Sequence, residues 1–198
     1  MVFSHFVVLL LIGLIVLSVA VGINDFKHRR IPNTYLLSAV IFAVCIFMLM
    51  FVFLPAAGVA RGFLFSLLGM FVGGLFLYPA YKLKQVGAGD VKLVMVFGLF
   101  LGMKGVILSI LVGAIVGGVW ALGLAYKYGG LLHMWHNMKF MARSVYLSGG
   151  KDLGWDLRSE GAIAMPYGVA LSIGAILIAL EQLNLHLNRM VELSLISF

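Results

Sequence analysis

Apolar residues fall in six long blocks along the chain, separated by short polar segments. A helix needs about 20 apolar residues to cross the hydrocarbon core of a bilayer, and open strands are excluded from lipid. The blocks therefore predict six transmembrane helices, at residues 6–23, 34–54, 62–81, 91–102, 106–126 and 162–180. The fourth is short, so it must be partly shielded or must thin the bilayer. We expect a single all-α integral membrane domain over residues 1–198.

Small residues recur at helical spacing inside two of the blocks. Gly69 and Gly73 are four apart in the third, and Ser109 and Gly113 begin a four-residue repeat in the fifth. Such stripes let helix backbones approach closely where no hydrophobic effect drives helices together. We interpret them as packing surfaces.

The longest polar segment, between Lys127 and Gly161, contains a second helical pattern. Residues 131–146 place Leu, Met and Trp side chains on one face and polar side chains on the other, which is typical of an interfacial amphipathic helix. We expect it in the cytoplasmic loop between helices five and six. His133 and His136 lie on its polar face, and without a third ligand we interpret them as solvated residues rather than a metal site.

The composition fits a chain that is solvated by lipid. Of its 198 residues, 63% are hydrophobic and 11% are charged, whereas a soluble domain carries about a quarter charged residues. The net charge of +7 does not indicate a nucleic-acid partner, because no basic run is interleaved with aromatic residues. Cys45 is the single cysteine, so neither a disulfide framework nor a Cys-based zinc site is expected.

The basic residues predict the orientation of the helices. If the first helix runs inward, 11 of the 14 Lys and Arg residues lie inside, and only Arg61, Lys104 and Arg189 lie outside. This positive-inside bias predicts that both termini lie outside the cytoplasm. Basic residues 27–30 follow the first block, which favours a retained helix over a cleaved signal peptide.

Two of the seven acidic residues lie at the ends of apolar blocks, Asp25 after the first and Asp90 before the fourth. A charge at such a position is costly unless it is paired or hydrated. The predicted topology brings both to the cytoplasmic face. Two carboxylates in one site share a proton, so one can activate water while the other hydrogen-bonds a scissile carbonyl, as in aspartic proteases. This scheme needs no metal and no cofactor.

Simpler interpretations of the same residues remain open. Asp90 alone would serve as an N-cap of the fourth helix, and Asp25 alone as an interfacial residue beside basic neighbours. Gly87 and Gly89 would let an extended substrate pair with an exposed backbone edge, or would only permit a tight turn. A transporter or proton-conducting protein that uses the two carboxylates is the alternative function.

Two segments resemble the type IV prepilin peptidases. DFKHRRIPN at residues 25–33 resembles their first aspartate motif, and GAGD at residues 87–90, followed by VKL, resembles their second. Pro166-Tyr167 resembles a further feature of the last helix. The resemblance implies that Asp25 and Asp90 are catalytic. Within the second motif, Gly87, Gly89 and Lys92 are the candidate substrate-binding residues.

The resemblance also implies a biological setting. Such enzymes lie in the bacterial inner membrane or archaeal plasma membrane and remove the short basic leader of prepilin-like proteins on the cytoplasmic side. Longer members carry a cysteine-containing insert after the first helix and methylate the new N-terminus. Residues 27–33 leave no room for that insert, so we expect cleavage without N-methylation. The short form most resembles the Flp/tight-adherence pilin peptidases, and next the archaeal preflagellin peptidases.

Overall fold

The structure, a computed structural model, describes residues 2–127, 135–136, 139–140, 143–144, 146–147 and 167–196. All regular structure within these residues is helical. The long helices are α1 (Val2–His28), α2 (Asn33–Phe53), α3 (Ala56–Lys82), α4 (Ala88–Lys127) and α5 (Tyr167–Ile196). These five described helices are each long and apolar enough to cross a membrane. The chain is therefore a multi-pass membrane protein whose described part is all helical.

The helices extend beyond the apolar blocks that predicted them. α1 continues to His28, so Asp25 lies inside the helix rather than after it. α3 begins at Ala56, so Gly58, which lies between the second and third predicted helices, is helical rather than part of a loop. α5 continues to Ile196, well past the predicted end at residue 180. The physical reason is that hydropathy marks where a helix leaves lipid, whereas backbone hydrogen bonding continues into water.

α4 spans the predicted fourth and fifth helices and consists of two helical segments that meet at a kink at Gly102, which has φ 69° and ψ −178°. A Cβ placed on Gly73 would lie 2.8 Å from the carbonyl oxygen of Val94 and 3.1 Å from Cγ2 of Val106. In a straight helix these two valines would be about 18 Å apart. The two halves of α4 therefore fold back against the same part of α3. The break at Gly102 coincides with the predicted end of the fourth helix, and six membrane crossings stay a prediction.

Two predicted features cannot be compared with the structure. The amphipathic helix at residues 131–146 lies outside the described residues, apart from a few short pairs. His133 and residues 162–166 also lie outside them. The surface helix and the start of the predicted last span stay predictions.

Glycines hold α4 against its neighbours by direct backbone contact. A Cβ on Gly69 would meet the Gly98 carbonyl oxygen, and one on Gly174 in α5 would lie 2.7 Å from the Gly113 amide nitrogen. Any side chain at these crossings would push the helices apart. The prediction that Gly69, Gly73 and Gly113 form packing surfaces is confirmed. These backbone contacts fix the position of α4 along the axes of α3 and α5.

Candidate active site

Asp25 lies near the end of α1 with its side chain turned into the bundle. The residue is 6% exposed, and its Oδ2 accepts no hydrogen bond among the described residues. A Cβ on Gly168 would lie 2.7 Å from that oxygen, and the backbone N–H groups of Gly168 and Val169 face the carboxylate. The N-terminus of a helix favours negative charge. The start of α5 therefore supplies the groups that can replace water around an ionised Asp25.

Asp90 lies in the first turn of α4 and is half-buried. Its Oδ2 accepts a hydrogen bond from the backbone N–H of Gly87 at 3.1 Å, and its own N–H donates to the Gly87 carbonyl at 3.1 Å. This is one of the two hydrogen bonds of a capping box, in which the side chain of the third helical residue accepts from the backbone N–H of the residue before the helix. The interpretation of Asp90 as the N-cap is therefore wrong, because Gly87 precedes the helix and Asp90 reaches back to it.

The two carboxylates converge at one end of the bundle. Asp25 comes from the end of α1 and Asp90 from the start of α4, and the two interact electrostatically. Tyr167, at the start of α5, also interacts electrostatically with Asp90. Two carboxylates that meet in one site can share a proton, and a pair in that state can activate water.

The glycines beside Asp90 serve close approach rather than an unusual backbone conformation. Neither Gly87 nor Gly89 has a positive φ, so no left-handed backbone angle requires glycine at either position. Gly89 is helical, and a Cβ there would lie 3.4 Å from Cβ of Ile31. The expectation of an extended backbone edge at Gly89 is therefore wrong, because the helix has already begun and Ile31 covers it. At Gly87, a Cβ would lie 3.2 Å from Oδ2 of Asp90.

Lys92 connects the two sequence motifs. Its Nζ donates a 3.4 Å hydrogen bond to Oδ1 of Asn33, the first residue of α2. The side chain is otherwise exposed. As a cation with donors only, it suits a peptide carbonyl or carboxylate better than the basic side chains of a leader.

Sequence reasoning did not identify Gly168 and Ile31 as neighbours of the aspartates. Gly168 lies against Asp25, and Ile31 occupies the space beside the Cβ positions of both Gly168 and Gly89. Gly168 follows the Pro166-Tyr167 feature, but a glycine and an isoleucine carry no chemical signal of their own. For metals, no group of three or more His, Cys, Asp or Glu side chains forms a candidate site within the described part of the chain.

The fold and the paired carboxylates define a helical membrane protein with a polar site at one end of its bundle. The model of the type IV leader peptidase family matches residues 8–122, more than half of the chain. The chain therefore belongs to the type IV leader peptidase family and is a membrane peptidase. Neither the curated proteins nor the solved structures gave a match.

The family match confirms the resemblance drawn from the two aspartate motifs. It includes both Asp25 and Asp90 and ends before α5. The match favours a peptidase over a transporter that uses the same carboxylates.

Proposed function

We propose that this peptidase is an aspartyl endopeptidase that removes the short basic leader of prepilin-like proteins, with Asp25 and Asp90 as its catalytic pair. The observation that carries the proposal is the convergence of buried Asp25 and half-buried Asp90 at one end of the bundle. Buried carboxylates in a membrane protein are costly and mark functional sites by default. Family membership supplies the reaction class, which is hydrolysis of a peptide bond.

In the proposed mechanism the pair holds one proton between its two carboxyl groups. The ionised carboxylate accepts a proton from water as the water oxygen attacks the scissile carbonyl carbon. The neutral carboxyl group donates its proton to the carbonyl oxygen, which gives a neutral tetrahedral diol. The carboxyl group that took the proton from water then gives it to the amide nitrogen as the C–N bond breaks. The other carboxylate takes a proton from one hydroxyl of the diol, which becomes the carboxylic acid product, and the pair again holds one proton. The N–H groups beside Asp25 and Asp90 can stabilise the charged member of the pair.

We also propose six membrane crossings, with the site facing the cytoplasm and both termini outside. The bend at Gly102 supports this arrangement, since it returns the second half of α4 to the end at which Asp90 lies. The excess of basic residues on the predicted inner side supports the orientation. Labelling of single cysteines with an impermeant maleimide in intact cells tests it. A cysteine at Gly58 should react from outside and one at Lys84 should not.

Cleavage without N-methylation is the third part of the proposal. Only four residues connect His28 at the end of α1 to Asn33 at the start of α2, which supports the absence of a cytoplasmic insert. A prepilin of the Flp/tight-adherence type is the first substrate to test. Mass spectrometry of the purified pilin should give an unmodified N-terminus.

Co-expression with such a prepilin tests the catalytic pair. Asp25→Asn and Asp90→Asn should each abolish loss of the leader on a gel while the membrane level of the enzyme stays unchanged, because an amide cannot act as a general base. Glu181→Gln is the matched control: this exposed acidic residue lies about 20 Å from Gly168 along α5. Wild-type processing by either asparagine variant would refute the assignment. No processing by the wild-type enzyme would refute the substrate.

A further inference from the structure

The α1–α2 turn, residues 29–32, is held in a single shape beside the aspartates. Arg29 has a left-handed φ of 51° and donates its N–H to the Asp25 carbonyl at 2.8 Å. Nδ2 of Asn24, one residue before Asp25, donates to the Arg30 carbonyl at 2.6 Å. A left-handed conformation is unfavourable for a non-glycine residue. The turn keeps this costly shape because hydrogen bonds from the aspartate-bearing end of α1 fix it.

The turn directs Ile31 between the other two elements of the site. Ile31 precedes Pro32, which favours an extended backbone. Its Cδ1 lies 3.2 Å from the Cβ position of Gly168, and its Cβ and Cδ1 lie 3.4 Å and 3.8 Å from the Cβ position of Gly89. Gly168 lies against Asp25, and Gly89 immediately precedes Asp90. One side chain therefore separates the α5 end that packs on the first aspartate from the α4 end that carries the second.

We propose that Ile31 is a positioning residue that sets the separation of Asp25 and Asp90. It acts as a spacer between Gly168 and Gly89 and makes no contact with substrate. A β-branched side chain suits this role because its χ1 angle is restricted. The glycines on either side leave the room it fills, which accounts for both without any special backbone angle. The inference rests on the proposed function, because it concerns the geometry of the same pair.

Truncation of Ile31 should change the chemical step rather than binding. Ile31→Val removes Cδ1, the atom nearest to Gly168, and should lower kcat several-fold. Ile31→Ala removes the spacer and should lower kcat about 10- to 100-fold, because misplacement of catalytic groups by about 1 Å costs about 100-fold. KM should stay within about two-fold. The control is Ile41→Ala on α2, a residue that is 55% exposed on the outer surface, and this variant should match the wild type.

A cleavage-independent measurement tests the spacing itself. Cys45→Ser removes the single cysteine, and Asp25→Cys with Asp90→Cys then permits crosslinking in membranes by bifunctional maleimides of graded length. We expect Ile31→Ala to change the reagent length that crosslinks best and Ile41→Ala to leave it unchanged. This readout stays informative even if the wild-type enzyme cleaves no prepilin, so failure of the proposed function is distinguishable from failure of the spacer.

Two results would overturn the inference. One is an unchanged crosslinking profile in Ile31→Ala at a normal level of folded protein. The other is a rise in KM at constant kcat, which would make Ile31 a substrate contact. If Ile31→Ala does not fold, Ile31→Val decides by the same two criteria.

Discussion

Substitution of Gly168 by alanine tests how tightly the start of α5 packs on Asp25. The added methyl would lie 2.7 Å from Oδ2 of Asp25, 3.0 Å from its Cγ and 3.2 Å from Cδ1 of Ile31. Ordinary contacts of a Cβ atom begin at 3.4 Å. The carboxylate or the helix must therefore move by about 0.7 Å to admit the methyl, a shift within the range that impairs catalytic geometry.

The size of the effect follows from that displacement. A misplacement of about 1 Å costs about 100-fold in rate, so we expect Gly168→Ala to lower kcat about 10- to 100-fold. This corresponds to about 1.4 to 2.7 kcal/mol in activation free energy. Alanine favours a helix over glycine by about 0.5–1 kcal/mol, so helix propensity gives no reason for the variant to unfold.

The chain offers a matched control on the same α1–α5 interface. A Cβ on Gly22, one turn before Asp25, would lie 3.6 Å from Cβ of Ser172, which is an ordinary contact. Gly22→Ala makes the same chemical change in the same seam without touching the carboxylate. Initial rates of prepilin cleavage in detergent, with thermal unfolding of each variant, separate a catalytic defect from a folding defect.

The reasoning is refuted if Gly168→Ala cleaves at the rate of Gly22→Ala. Such a result would mean that Asp25 does not pack against α5 as described, or that its position does not govern the rate. A loss of cleavage that parallels a loss of folded Gly168→Ala would likewise count against a specific effect on the carboxylate.

Three further substitutions test other contacts. Gly98→Ala should lower the melting temperature relative to Gly118→Ala, because its methyl would meet the α3 backbone whereas Gly118 faces open space. Overpacking of this kind costs about 1–3 kcal/mol of stability. Equal melting temperatures would contradict the close packing of Gly98 on α3. Gly89→Val should slow cleavage far more than Gly58→Val, because the valine methyls at position 89 must enter the space of Ile31, whereas a Cβ at Gly58 has no neighbour within 4 Å. Similar cleavage rates would argue against the close packing of Ile31 on Gly89. Lys92→Met should raise KM several-fold if this candidate residue binds substrate. An unchanged KM would leave the lysine only its hydrogen bond to Asn33 at the start of α2.

The sequence by itself determined the class of protein and the convergence of the two aspartates. Hydropathy predicted membrane helices because only apolar segments are stable in the bilayer core, where the backbone must form its own hydrogen bonds. Successive crossings alternate in direction, so the end of the first helix and the start of the fourth were expected at one face. The structure has Asp25 and Asp90 at one end of the bundle, and the family match confirms the resemblance of their motifs.

The helix ends were less predictable, because apolarity and helicity are different properties. Asp25 lies inside α1 although it is charged, and α5 runs beyond its apolar block to Ile196. The predicted break after residue 102 coincides with the non-helical Gly102, but the sequence did not show that only this one residue leaves helical geometry. A glycine can adopt that positive φ without strain, but the surrounding sequence does not predict which glycine will adopt it.

Only the tertiary structure decided which face of each helix points inward. In lipid the outer face of a helix is as apolar as the face that packs against its neighbours, so the hydrophobic pattern does not reveal the rotation. Rotation is what buries Asp25 against Gly168 and inserts Ile31 between Gly168 and Gly89. These contacts join residues that are far apart in the chain, and they depend on the shape of small and branched side chains. Shape complementarity of that kind exists only once the helices have packed.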